Sequence, residues 1–435
     1  MNQAKGSRGA LRMAIEKGRF GEAPLSPGSF RGIPFNSSGL KSSQNLNESS
    51  VIRDTRNASA PFRGNTEASG AITVPIDQRN FGYHLQAMFG DPVTTTLATP
   101  TTLYGGRGVN PHFDFWQQFT NGAFKIQVDS ASPILISGVD LSSVTSFEDI
   151  ADAIQTAIQV EIPTVTVVWD KEFQRFLVQS TTASKIAPFM VDTSCHSLST
   201  SMKLTVTEGA ISKGATTLYK HEFKVPQNQP SVSYEQAFTD IGSYHLFTGA
   251  KVQSFNFSAQ GDGELTASIN VQAAKETLCK APFDTAVIPA LPLSPFNNYQ
   301  AFITQDGAII GNATQVDIEV DFDLDTDTYT LSSNGFRTGI NEGIVKPSGN
   351  INIFFEDTSM IEAAIEGKKS AINVSFAQGP HSLAFLMPEV EFERNTPGID
   401  GPKGIRLEMG YKAYYDENPE GTAIKVTLIN DVVSY

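Results

Sequence analysis

Residues 316–329 read VDIEVDFDLDTDTY, in which Val316, Ile318, Val320, Phe322, Leu324 and Thr326 alternate with Asp317, Glu319, Asp321, Asp323, Asp325 and Asp327. Alternation is the signature of a β-strand, because successive side chains leave the pleated backbone on opposite faces. The period therefore predicts one apolar face and one face of six carboxylates, spaced about 6.6 Å apart. A strand of that kind belongs to a sheet with one side in a core and the other in water. Val-, Ile- and Phe-rich runs bounded by turn residues continue outward from it. They include KVQSFNFSA (251–259), ELTASINVQ (264–272), NINIFFED (350–357), AINVSFA (371–377), SLAFLMP (382–388), IRLEMGYKAYY (405–415) and AIKVTLIN (423–430). The fold class they predict is mainly β.

Three short helices interrupt this pattern. In 71–91, AITVPIDQRNFGYHLQAMFGD, a strand gives way to a helix whose apolar face is Phe81, Leu85, Met88 and Phe89, with Asp77 as its cap and Gly90 as its stop. A second helix opens at Ser146 with Asp149 three residues on, a capping-box spacing, and carries Ile150, Ile154, Ala157 and Ile158 on one stripe. In DTSMIEAAIEGKK (357–369), Asp357 or Thr358 caps a third, with Ile361, Ala364 and Ile365 on one face and Gly367 as stop, and this helix covers a sheet face.

A chain of 435 residues exceeds what one hydrophobic core ordinarily supports, and the organisation divides accordingly. Residues 1–66 are rich in Ser, Asn, Gly, Pro and Arg without a sustained period, and read as an extended basic N-terminal arm. Residues 67–120 and 195–435 form a split β module. Between them, 121–194 read as an inserted small α+β domain: strands FKIQVD and ILISGVDL, the second helix, then VTVVWD and RFLVQS around the turn KEFQ. The net charge of −14 is uneven: residues 1–66 hold 10 Lys/Arg against 4 Asp/Glu, or +6, which leaves −20 on the rest. An acidic body lacks the cationic face that displaces counterions from duplex DNA. The arm is suited to an acidic surface.

Motifs for chemistry are absent from the sequence. The six histidines are scattered, with no HExxH and no GxSxG elbow, and GGRG at 105–108 is a turn or connection in place of a phosphate loop. Cys195 and Cys279 have no metal-ligand spacing, and no apolar run reaches the roughly 18 residues that span a membrane. No enzyme, cofactor or metal is expected. For the acidic face three readings stand: a calcium loop starting at Asp321, which lacks the Gly and Glu of an EF-hand at Thr326 and Ser332; a solvated face that only aids solubility; and a wall that phosphates slide past. The aromatic cluster NPHFDFWQQF (110–119), with Phe113, Phe115, Trp116 and Phe119, is either a glycan platform or a buried patch.

Three stretches in order resemble the tail tube proteins of long-tailed bacteriophages. They are RNASAPFRGNTEASGAITVPIDQRNFGYHLQAMFGDPVTT (56–95), HEFKVPQNQPSVSYEQAF with FTGAKVQSFNFSAQGDGELTASINVQAAKE (221–276), and GNINIFFEDTSMIEAAIEGKK through GYKAYYDENPEGTAIKVTLIN (349–430). The 121–194 insert is similar to a small module of other phage tail proteins. The resemblance implies a β-sandwich that forms homohexameric rings closing an inner barrel, stacked into a tube for DNA ejection. It further implies tape-measure, tail terminator and baseplate partners, DNA passing without specific binding, no membrane, and a place in the virion tail after assembly in the host cytoplasm. Under it, Asp317, Glu319, Asp321, Asp323, Asp325 and Asp327 face the lumen, and the insert points to a non-contractile tail. The competing reading is a tail-associated β-sandwich adhesin for a host surface glycan.

Overall fold

The computed structural model describes residues 3–190, 196–399 and 401–435. Pairing links 19 strands into one continuous, bent antiparallel sheet that folds over on itself as a sandwich. One layer runs Phe62–Pro75, Thr266–Ala273, Ser243–Gln260, Ala313–Asp321, Lys346–Phe354, Arg406–Ala413. The other runs Ala301–Gln305, Ser370–Gln378, His381–Phe392, Lys425–Asn430, Thr216–Lys224, Val93–Thr99. His381–Phe392 turns the corner: its first half pairs in the second layer and Val390–Phe392 pair with Tyr411–Ala413 of the first.

The core lies between the layers because each strand sends alternate apolar side chains inward. Val316, Ile318 and Val320 are buried beside Phe255, Phe257, Ile351 and Met409, and they meet Val374, Leu383 and Val426. Phe257 packs on Phe376 and Phe385 at centroid distances of 5.9 and 5.1 Å. Phe81–Phe89 is buried nearly all round and closes one side of this core. Asp77 serves it as expected, accepting from the Phe81 N–H at 3.0 Å, although the capping position itself is Asn80. Gly90 ends it at φ 74°. The Ser359–Glu366 helix buries Met360 and Ala363, three apart, while Ile365 faces solvent, so its inward face is rotated from the Ile361, Ala364, Ile365 stripe.

A second core surrounds the Phe147–Gln159 helix, whose capping box between Ser146 and Asp149 forms as the spacing predicts. Ile150, Ala151, Ile154 and Ile158 pack on strands Val165–Asp170 and Arg175–Ser180, joined by the 171–174 turn read in the sequence. This core extends beyond 121–194: Thr101–Tyr104 and Ile211–Lys213 complete the same sheet, and Leu103 and Ala210 are buried in it. A sheet of two strands exposes edges and an uncovered core flank, and the flanking segments close them. Residues 191–194 of the predicted insert and Cys195 lie outside the described residues.

The first 66 residues carry more pairing than an extended arm. Gly9–Ile15 adds to Val232–Phe238 over seven residue pairs, and Lys41–Asn47 pairs with Phe62–Pro75. Buried Glu16 fixes the first strand, accepting from Ser233 Oγ at 2.7 Å and Gly249 N at 2.8 Å, where Ser243–Gln260 bends at Gly249 (φ 61°). The low apolar content of Lys41–Asn47 hid that strand, whose backbone hydrogen bonds do not depend on hydrophobic alternation, and Gly9–Ile15, which buries Leu11, Met13 and Ala14, lacks a strict period of two.

Candidate functional site: an open polar sheet face

The outward face of the first layer is polar across six strands. Opposite Asp317, Glu319 and Asp321 stand Ser258, Asn256 and Ser254 on one side and Asn350, Ser348 and Lys346 on the other. Ser254 and Asn256 face Asn270 and Ser268, and Ser348 faces Lys412. Side-chain hydrogen bonds knit these rows: Asn270 Nδ2 to Ser254 Oγ at 2.8 Å, Gln253 Nε2 to Asp321 Oδ1 at 3.1 Å, and Gln315 Nε2 to Asp317 Oδ1 at 3.0 Å. The cations Lys346 and Lys412 sit at the end of the face, paired with Asp323 at 2.8 Å and Glu393 at 3.0 Å.

Only Asp317, Glu319 and Asp321 of the six carboxylates share a strand face, because the strand ends at Asp321. Asp323 adopts φ 50°, and its N–H bonds Asp321 Oδ1 at 2.9 Å; Asp327 N–H bonds Asp325 Oδ1 at 3.1 Å. The reason lies in the spacing itself. An Asp whose carboxylate accepts the backbone N–H two residues on makes a local turn, so Asp-x-Asp suits turns as well as strands. Alternating burial persists to Leu324, but Asp323, Asp325 and Asp327 project at the rim beyond the sheet. Lys346, through its hydrogen bond and charge, holds the Asp323 carboxyl below the usual carboxylate range. A calcium loop is not assembled: no group of three His, Cys, Asp or Glu side chains converges for a metal among the described residues.

The underside of this face depends on a position the alternation did not single out. Gly349 faces the core between Ile318 and Tyr411, and the Tyr411 ring lies over it to donate its hydroxyl to the Asp317 carbonyl at 3.0 Å. A Cβ at 349 would collide with both groups.

The remaining candidates are structural. Trp116 is fully buried in the second core, its Nε1 donating to Asn110 O at 2.8 Å, with Phe115 and Phe119 edge-on to each other, so the glycan platform is turned inward. GGRG is a tight passage: a Cβ on Gly105 or Gly106 would strike the Phe176 or Glu208 backbone. Arg107 then reaches the second layer, donating to Gln300 O and Ser375 O, both at 2.7 Å. Buried Arg175 donates to Gly379 O at 2.6 Å, and Phe173 packs on Ala377, Ala384 and Ile429. The 171–174 turn thus clamps the second core onto the outer face of the second layer. His84 and His381 are buried and pushed down to about 4 by desolvation, and His381 bonds Gln78. Cys279 is a free, half-buried thiol. No helix among the described residues is long and apolar enough to cross a membrane.

The sandwich is thus covered by the second core on one side and open and hydrophilic on the other. A family model described as phage tail tube protein matches residues 6–413, nearly the whole chain, and the chain belongs to that family. It is therefore a structural component of a virion tail tube, and the family is not one of enzymes. No curated protein matches the chain.

Proposed function

We propose that the subunit closes with copies of itself into a hexameric ring whose channel wall is the polar face of the first layer, and that stacked rings conduct DNA during ejection. The observation that carries this reading is the asymmetry of the sandwich. The outer face of the second layer is occupied by the Phe173–Arg175 clamp, whereas the first layer presents Ser, Asn, Gln, Asp and Glu to open solvent. Fixed carboxylates in a field of neutral hydrogen-bonding groups repel phosphates and leave no cation row to hold them. Asp317, Glu319 and Asp321 then face the lumen, and Asp323, Asp325 and Asp327 its rim. The second core, as an inserted α+β domain, lies on the outside, where it would obstruct a close-fitting sheath, so the tail is non-contractile. Tape-measure, terminator and baseplate proteins complete the assembly.

Negative-stain microscopy of the purified protein tests the reading: rings and tubes with sixfold class averages are expected. Dispersed monomers at every concentration would overturn it and favour an adhesin.

A further inference from the structure

We propose that Ser243, His245 and Glu276 form a nucleophilic serine centre, an activity beyond the structural role, in which the acyl group of a small activated ester passes to Ser243 and then to water. The three residues lie within one subunit, so the centre does not depend on ring formation.

Ser243 and His245 are two apart at the start of the Ser243–Gln260 strand and share one face, the face that carries buried Phe247 further along. Glu276 stands opposite Phe247 on the antiparallel strand Lys275–Cys279, which sets it diagonal to His245 and within reach of a long side chain. Ser243 Oγ lies 3.1 Å from His245 Nε2, and His245 Nδ1 lies 2.5 Å from Glu276 Oε1. A carboxylate only accepts, so in the neutral ring Nδ1 carries the proton and Nε2 keeps the lone pair that receives the Ser243 hydroxyl. Nucleophile, base and orienting carboxylate thus stand in one chain of hydrogen bonds, the arrangement that activates a serine. No sequence motif marks it, because His245 and Glu276 are 31 positions apart and meet only through strand register.

The imidazole is braced from both neighbouring strands. The Phe238 ring meets it edge-on at 5.5 Å, Gln236 stands opposite it on Val232–Phe238, and Ser42 donates to the second Glu276 oxygen. Ser38 Oγ in turn holds Gln236 at 2.7 Å. A ring fixed in this way keeps Nε2 aimed at Oγ before any substrate arrives. The approach to Ser243 is open: Gly242 before it is exposed, and a Cβ at that position would meet no atom within 4 Å. Ile241, 49% exposed, and Leu278, 68% exposed and opposite His245, flank the opening with apolar surface suited to a short aliphatic acyl chain.

Oγ attacks the acyl carbon and forms the Ser243 ester while its proton passes to His245 Nε2. The bond to the leaving atom breaks, and the leaving group departs with that proton. Water then attacks the acyl-serine and gives a proton to Nε2, which returns it to Ser243 Oγ as the carboxylic acid is released. Glu276 stabilises the imidazolium in both halves and is a positioning residue. Base assistance of this kind supplies about 10²–10⁴ in rate. The centre works through nucleophile and base alone, so its substrates are esters with a good leaving group, such as aryl esters and thioesters.

A fluorophosphonate probe and p-nitrophenyl acetate test the centre on the full chain, in a Cys195→Ser, Cys279→Ser background that removes the thiols an ester would acylate. Mass spectrometry should find the fluorophosphonate adduct on the peptide bearing Ser243, and p-nitrophenyl acetate should give a burst stoichiometric with the chain. Both should vanish in Ser243→Ala, and the labelling rate should fall at least about a hundredfold in His245→Ala. Glu276→Gln keeps the shape but favours the wrong tautomer; it should slow acylation at least about tenfold, and Glu276→Asp should recover part of the loss. The adduct is read on the unsubstituted serine, so that result stands even where a variant loses its fold. No adduct on Ser243, a burst that survives Ser243→Ala, or labelling as fast in Glu276→Gln as in the parent overturns the centre.

Discussion

Tyr411 donates its hydroxyl to the Asp317 carbonyl at 3.0 Å, spanning the intervening strand through space left by the missing side chain of Gly349. The contact ties the apolar underside of the first layer to the strand that carries the central carboxylate row. Burial drives the Tyr411 phenol far above its ordinary pKa, so it stays a neutral donor.

Gly349→Ala is expected to cost about 2–4 kcal/mol, the range of a steric insertion that also breaks a buried hydrogen bond. Tyr411→Phe removes the hydrogen bond alone and should cost about 1 kcal/mol. Urea unfolding of the two variants measures the difference, and equal losses would mean that the glycine gap has no steric role.

The clamp between the second core and the sandwich should loosen in Phe173→Ala, because Phe173 fills the space over Ala377, Ala384 and Ile429. A fully buried Phe lost to Ala costs about 3–5 kcal/mol, divided here between local stability and docking. Hydrogen exchange should accelerate in Ser370–Gln378, whose Ser375 carbonyl holds Arg107, while amides of Phe147–Gln159 keep their protection. Equal acceleration in both would show that the second core does not hold its fold apart from the clamp.

Phage carrying Asp317→Asn, Glu319→Gln and Asp321→Asn should assemble tails, since shape and hydrogen-bonding capacity are nearly kept, but should eject DNA more slowly. Lysines at the same positions should slow ejection further by creating phosphate contacts along the wall. Single-particle ejection kinetics decide the matter. Unchanged rates in the lysine phage would remove these residues from the DNA path.

Acid sensitivity should begin above the carboxylate range. His84 and His381 are both held near 4 in the fold against about 6.5 unfolded, so the unfolded chain binds more protons between those values. Stability is therefore complete above about pH 6.5 and declines as pH falls toward 4, by up to about 3 kcal/mol for each histidine. His84→Phe should flatten part of that decline in a melting-temperature series from pH 7 to 4. A profile as steep as the parent's would exclude His84 as a source.

Glu389 acts with the opposite sign. Lys369 at 2.7 Å, Asn418 Nδ2 at 2.8 Å and the Asp416 N–H at 2.6 Å hold its carboxyl down at about 2. The stability it contributes is present above about pH 4.5 and disappears as pH falls through 2. Glu389→Gln should thus be less stable than the parent at pH 7 and converge with it in strong acid.

Much of the sandwich was legible locally. Strands 165–170 and 175–180 and their four-residue turn begin and end where the sequence places them, and the Ser146–Asp149 box and the Gly90 and Gly367 stops act as predicted. These are signals carried within a few residues, where backbone geometry and side-chain chemistry agree. The strand Gly9–Ile15 was not legible, since its partner lies more than two hundred residues away, and the burial of Leu11 and Met13 and the Arg12–Glu235 ion pair exist only once the two strands are brought together. Nor was the edge of the second core, because Leu103 and Ala210 are apolar residues in unremarkable stretches until the fold brings them together. Candidate-site residues fared in the same way: alternation identified Asp317, Glu319 and Asp321 as one row, and the rows of Ser and Asn around them emerged only from strand register.

The sequence by itself determined that this is a mainly β protein of the tail tube family with an acidic strand, since period-2 alternation and turn residues act over distances shorter than one strand. Tertiary structure alone decided where that strand stops. Asp321 and Asp323 have the spacing of a strand face and also of a turn, and neither is preferred locally. The choice falls to the turn because Lys346 and Ser254, brought opposite Asp321 from distant parts of the chain, close the sheet at that residue and leave Asp323 to pair with Lys346 at its rim.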